Sequence, residues 1–147
     1  MFWGGPSQVV VPNKSVMELR VRPGASAAER GRVLQAWYRQ KLKRRIAPLL
    51  EKWQKLMGVQ AAECRIKRMK TKWGTCSSEA ARIWLNLELA KKPLPCIEYV
   101  LVHELAHLIE RHHNDRFISL MEKHLPRWRA LRRLLNAAPL SHDEWTY

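Results

Sequence analysis

The sequence predicts a mixed α and β chain folded as one domain over residues 1–147, and three observations carry that reading. A long stretch from Ser26 to Gly58 repeats apolar residues near the helical period, and two short segments within residues 63–87 alternate with the period of a strand. A third, apolar stretch carries His103-Glu104-Leu105-Ala106-His107. At 147 residues the chain is long enough to bury a core without staples.

Taken in order, Gln8 to Val11 and Val16 to Arg22 read as short strands about a Pro12-Asn13-Lys14 turn, with Met17, Leu19 and Val21 alternating against charged neighbours. Ser26-Ala27-Ala28-Glu29 is a capping-box signal that opens the long helix, Pro48 should kink or divide that helix, and Gly58 should stop it. Glu63 to Met69 alternates, with Cys64 and Ile66 on one face and Arg65 and Lys67 on the other. Lys70 to Ser78 reads as a loop and Arg82 to Leu87 as a second strand, so the two strands are expected to form an antiparallel hairpin, with Trp84 more suited to the core than Trp73. Lys91-Lys92-Pro93-Leu94-Pro95 punctuates before the histidine-bearing helix. Asn114-Asp115 reads as the cap and first turn of another helix, whose Phe117, Leu120, Met121, His124 and Leu125 keep the spacing of a packed face. A last basic helix spans Trp128 to Asn136, and Pro139 to Tyr147 reads as a tail.

Composition narrows the setting. The 27 Lys and Arg against 13 Asp and Glu leave a net charge of +14, which favours polyanionic company, so association with nucleic acid through a basic surface is a secondary expectation. No apolar run approaches the roughly 20 residues of a membrane span and the N-terminus lacks the order of a signal peptide, which predicts a cytoplasmic protein without membrane partners. The three cysteines, Cys64, Cys76 and Cys96, show no CxxC spacing and read as reduced residues.

The chemistry is concentrated in one stretch. On a helix, His103 and His107 lie one turn apart on the same face and can reach a single ion, while Glu104 points about 100° away toward the ion's open side. Two imidazoles and a nearby carboxylate suit a zinc ion that activates water, with Glu104 taking the proton. Catalytic zinc normally has a third protein ligand, and His112 and His113 are the nearest candidates. On an unbroken helix either would lie roughly 15 Å from His103, so the chain must reverse after His107, with Glu110 to His113 as the elbow.

With these residues in place, the chain resembles the YgjP-like family of zinc metallopeptidase domains, related to the WLM and SprT-like groups. The resemblance is dense from Trp37-Tyr38-Arg39 onward. It includes Met69-Lys70-Thr71-Lys72-Trp73-Gly74-Thr75-Cys76, Leu85-Asn86-Leu87-Glu88-Leu89, Ile97 to His107, and His113-Asn114 with Phe117. Glu110 stands where the metzincin pattern HExxHxxGxxH has glycine, and no Met-turn sequence follows. The resemblance implies an α+β, zincin-like fold: a small antiparallel sheet packed on the HExxH helix, with a long N-terminal helix and C-terminal helices. It also implies an N-terminal strand region that this chain is expected to lack, zinc ligands at His103, His107 and His113, and a catalytic Glu104. His113 directly precedes the next helix, where the returning backbone can aim a side chain at the metal, so it is favoured over His112.

The predicted activity is therefore zinc-dependent hydrolysis, of a peptide bond first. Trp73, Gly74 and Asn86 are expected beside the cleft, with substrate antiparallel to the Arg82–Leu87 strand. Two alternatives remain: a nucleoside triphosphate pyrophosphohydrolase with Lys70 and Lys72 on the phosphates, and a DNA-associated zinc protein with little catalysis.

Overall fold

The computed structural model describes residues 8–13 and 16–137, and the chain packs as two compact units, Met1–Lys41 and Leu42–Tyr147. The N-terminal opening and the Pro139 to Tyr147 tail lie outside the described residues.

In the first unit, β1 (Gln8–Asn13) pairs antiparallel with β2 (Val16–Arg20), and the register slips between Val10 and Asn13. Helix α1 (Ala27–Met57) begins after Ser26, whose hydroxyl accepts from the Glu29 amide at 3.1 Å. The reciprocal half of the capping box is replaced: the Glu29 carboxylate instead takes a double hydrogen bond from Arg22, with Arg22 Nη2 at 3.0 Å from both oxygens. A charged fork offers a carboxylate more than one backbone amide does.

The rest of α1 belongs to the second unit. Leu42, Ile46, Trp53 and Met57 face inward at helical spacing, and Gly58 ends the helix with a φ of +67°, a conformation that favours glycine. Of the two outcomes expected at Pro48, a kink or a division, division does not occur: α1 runs on through it. Arg45 donates to the Lys92 carbonyl at 3.1 Å and the Trp53 indole donates to Glu98 at 2.9 Å, so α1 is tied both to the turn before the histidine-bearing helix and to that helix.

Three strands follow: β3 (Glu63–Lys67), β4 (Gly74–Ser77) and β5 (Arg82–Asn86), in the order β3-β5-β4. The expected hairpin of Glu63–Met69 with Arg82–Leu87 is corrected, because β3 and β5 pair in parallel. The supposed loop between them contains β4, which is antiparallel to β5; two reversals in place of one leave β3 and β5 running the same way, and the sheet is mixed. Register aligns Cys64, Ile83 and Cys76 on one face with Ile66, Leu85 and Gly74, and Arg65, Trp84 and Thr75 on the other. Trp84 therefore lies on the outer face, with Lys67 Nζ 4.5 Å from its ring centroid, whereas Trp73 is 3% exposed. This reverses the expected ranking of the two tryptophans.

Asn86 ends β5 and caps a short 3₁₀ helix (Leu87–Lys91). Helix α2 (Leu94–Ala106) is buried over nearly all of its length, from Cys96 to Ala106 apart from Glu98, as an apolar helix must be when sheet and helices surround it. It packs on β4, β5, α3 (Asp115–His124) and α4 (Trp128–Asn136).

Candidate metal centre

Helix α2 ends at Ala106, so His103 stands in its last turn and His107 is its C-cap. The amides of His107, Leu108 and Ile109 bond three residues back, tightening the exit, and the chain turns over Glu110 to His113. Asn114 then caps α3, its side chain accepting from the Phe117 amide at 3.1 Å. The Glu110 carboxylate braces the elbow by accepting from the His112 amide at 3.3 Å and from Asn114 at 3.1 Å.

This reversal brings His113 beside the two helix histidines. One nitrogen from each of His103, His107 and His113 lies within 4.8 Å of the others. Tetrahedral bonds of about 2.1 Å place ligand atoms about 3.4 Å apart, so small side-chain rotations would let one ion engage all three. Among the described residues, His112 is outside this cluster and exposed, and the Glu122 carboxylate is taken by the Trp128 indole and the Arg129 guanidinium.

The packing fixes the rings. Phe117 is 3% exposed; its ring stacks on His107 at 4.6 Å and meets His103 and His113 edge-on at 4.9 and 5.0 Å. His107 Nδ1 lies 3.1 Å from the Glu110 carbonyl, which calls for a proton on Nδ1 and leaves Nε2 to bind a metal. Burial holds the His103 imidazole well below its ordinary pKa, with the charges of His107 and His113 adding to the effect. Burial likewise lowers His107 and His113, so the neutral, metal-binding form is favoured at all three.

Glu104 is 2% exposed, and its Oε2 has no hydrogen-bond partner among the described residues. Burial pushes its carboxyl up to about 8, against the pull of the Lys72 charge. An unpartnered buried carboxylate is costly unless a cation or a reacting molecule completes it. A divalent ion among the histidines, with water beside it, satisfies that demand, so the donors present fit a metal.

A cleft of about 580 Å³ opens over these groups, walled by Thr71 and Lys72, by Gly74 to Glu79, and by Arg111 from the elbow. Gly74 permits the close approach of β4 to α2: a Cβ there would stand 2.9 Å from Val100 Cγ1 and 3.0 Å from Glu104 Cγ. The Ser78 hydroxyl donates to the His107 carbonyl at 3.1 Å, joining the turn after β4 to the elbow.

The sequence candidates for substrate contact separate. Lys72 and Gly74 line the cleft, while Trp73, Asn86 and Lys70 are not among the residues that wall it. Asn86 is fully buried and its amide nitrogen donates to the carbonyls of Met69 and Lys72 at 2.8 and 2.7 Å, which makes it the clasp of the loop. The expected pairing of substrate with β5 is corrected, since β5 is the central strand and both its edges are taken; the edge strand at the cleft is β4. Tyr99 is fully buried, with its ring 6.0 Å from that of His103. Sequence reading gave no role to Ser78 or Arg111, whose types and spacing carry no signal, and it placed Phe117 on a packed face and in the resembling motif without a role at the site.

The family profile described as "YgjP-like, metallopeptidase domain" matches residues 5–138. Among solved structures, the metallopeptidase zymogen abylysin of Pyrococcus abyssi is similar at 27% identity and a TM-score of 0.54, over 58% of this chain and 87% of that one. The metallopeptidase zymogen jannalysin of Methanocaldococcus jannaschii is similar at 19% identity and a TM-score of 0.49, over 54% of this chain and 81% of that one. No curated protein matches the sequence. With its histidine cluster and buried glutamate at the base of a cleft, and with the profile match across most of its length, the chain belongs to the YgjP-like metallopeptidase domain family.

Proposed function

We propose that the chain is a zinc-dependent peptidase in which His103, His107 and His113 hold the ion and Glu104 is the general base. The observation that carries this reading is the juxtaposition of three imidazole nitrogens with a buried carboxylate whose Oε2 is unpartnered among the described residues, all opening onto one cleft. Three neutral imidazoles suit zinc, whereas magnesium prefers oxygen donors, which tells against the triphosphate pyrophosphohydrolase alternative.

When bound, zinc supplies the Lewis acidity that lowers the pKa of water and polarises the scissile carbonyl. Glu104 takes a proton from the attacking water as the new C–O bond forms at the carbonyl carbon. Its carboxyl then returns that proton to the leaving nitrogen as the C–N bond breaks, giving a carboxylic acid and an amine, and the acid's remaining proton passes to the amine to leave a carboxylate and an ammonium group. Burial raises the proton affinity of Glu104, which suits a group that takes a proton from water and passes it on. Ring packing by Phe117 and the Glu110 carbonyl keep the imidazoles oriented throughout.

The test is metal analysis of purified protein joined to parallel assays on an unfolded polypeptide and on nucleoside triphosphates. The reading predicts about one zinc per chain, polypeptide cleavage that a chelator stops and zinc restores, and no triphosphate turnover. Triphosphate hydrolysis without peptide cleavage would overturn it.

A further inference from the structure

The cleft is electrostatically uneven. From Lys67 to Lys72 the chain reads Lys-Arg-Met-Lys-Thr-Lys, four cations with no acidic residue before Glu79. Nearby carboxylates are already engaged: Glu63 with Arg65 and Arg82, Glu88 with Arg68 and Lys91, and Glu110 with Arg116. Lys72 is exposed on the cleft wall and has no ion pair among the described residues. Its backbone is nevertheless fixed, because the buried Asn86 amide binds the carbonyls of both Met69 and Lys72. The opposite end differs. There the Ser78 hydroxyl bonds the His107 carbonyl, which brings the turn carrying Glu79 to the elbow carrying Arg111, and both residues line the cleft. Acid offsets base at that end, whereas Lys72 acts on the buried Glu104 carboxylate without pairing with it, and Glu79 at the far end is the other acidic residue among those lining the cleft. Along β4, the strand between the two ends, the edge of the sheet that no strand pairs among the described residues offers backbone groups to an extended chain.

We propose that Lys72, on the loop clasped by Asn86, forms a cationic subsite at one end of the cleft that selects polypeptides carrying an acidic residue on that side of the scissile bond. Asn86 acts as the positioning residue. The inference rests on the peptidase reading and goes beyond it by naming the substrate class. A triphosphate offers the same charge, but the edge strand adds a means of holding polypeptide that a nucleotide does not use.

Binding is separable from turnover. Zinc-loaded Glu104→Gln protein is titrated, by fluorescence anisotropy, with matched labelled peptides bearing Asp or Glu, Asn or Gln, or Lys or Arg on either side of one cleavable bond. The acidic peptides on one side should bind about two- to five-fold more tightly than the neutral set, the range of an exposed ion pair, and 0.5 M salt should erase the difference (about a 4 Å screening length). Lys72→Met should remove the preference, Lys72→Glu should turn it toward basic peptides, and Arg111→Met should leave its direction intact. Equal affinities, or an acidic preference that survives Lys72→Glu, would overturn the subsite. The kcat/KM values of the unaltered protein and of Lys72→Met on the same peptides give a second reading that does not depend on the Gln variant. Cleavage without charge preference sinks the subsite alone, whereas failure to cleave any peptide sinks the peptidase reading beneath it.

Discussion

One residue that is not a ligand decides whether Glu104 can work. Gly74 leaves the space in which Glu104 lies against β4, and an added Cβ would press on both Val100 and Glu104. Gly74→Ala should therefore destabilise the protein by about 1–3 kcal/mol, the usual cost of overpacking, and should lower kcat by about 100-fold through displacement of the carboxylate. Denaturant melts and turnover on one preparation check this, and an unchanged kcat would mean that β4 yields more easily than its contacts imply. The cysteines are the second residue-scale case. Burial pushes the Cys64 thiol up to about 11, and burial with the Glu104 charge pushes Cys76 up to about 12. Raising a thiol's pKa favours the neutral form, so at pH 7 the reactive thiolate is only about 1 in 10⁴ of Cys64 and 1 in 10⁵ of Cys76. Iodoacetamide at pH 7 should leave both unmodified in the native protein and label all three cysteines in urea, as read by peptide mass spectrometry. Rapid native labelling of Cys64 would contradict its burial.

At the scale of elements, the elbow and the clasped loop turn secondary structure into a site. Because the reversal after His107 aims His113, and not His112, at the helix histidines, His113→Ala should weaken zinc binding by more than about 100-fold, beyond the loss typical of supporting residues. His112→Ala should change it by less than about threefold on the same scale. Competition with a chromophoric chelator measures both, and the opposite order would refute the elbow geometry. Asn86→Ala strips partners from two carbonyls and from the Glu88 amide, and should cost about 2–4 kcal/mol in urea denaturation. The helices were legible in the sequence because their periods and caps are local: Ser26, Gly58 and Asn114 each mark a boundary with a side chain or a backbone conformation. The histidine pair was legible for the same reason. Strand pairing was not, since alternation shows which side chains share a face but not which strand lies alongside or in which direction, and four residues of β4 within a basic loop are too short to show a period. Asn86 looked like a site residue because nothing local reveals that its partners are carbonyls 14 and 17 residues away.

Across the whole molecule, the proposed centre would draw its ligands from one buried helix and from the turn that follows it, so a bound ion would tie the α2–α3 connection to the core. An ion that binds only the folded state at a concentration 1,000 times its Kd adds about 4 kcal/mol, which for a chain of this size raises Tm by about 8–16 °C. Calorimetry before and after chelation should show a fall of that order, and an unchanged Tm would mean that the ion contributes nothing to folding. The same scale holds the division of labour that the account depends on: histidines that bind, and a glutamate that moves the proton without being needed as a ligand. Glu104→Gln separates these roles, because the amide nearly preserves shape and cannot accept the proton. Zinc content and peptide turnover measured together on this variant are the most direct test. About one zinc per chain with a loss of about 10²- to 10⁴-fold in kcat is the predicted result, and unimpaired cleavage with zinc in place would contradict the assignment of Glu104 as the base.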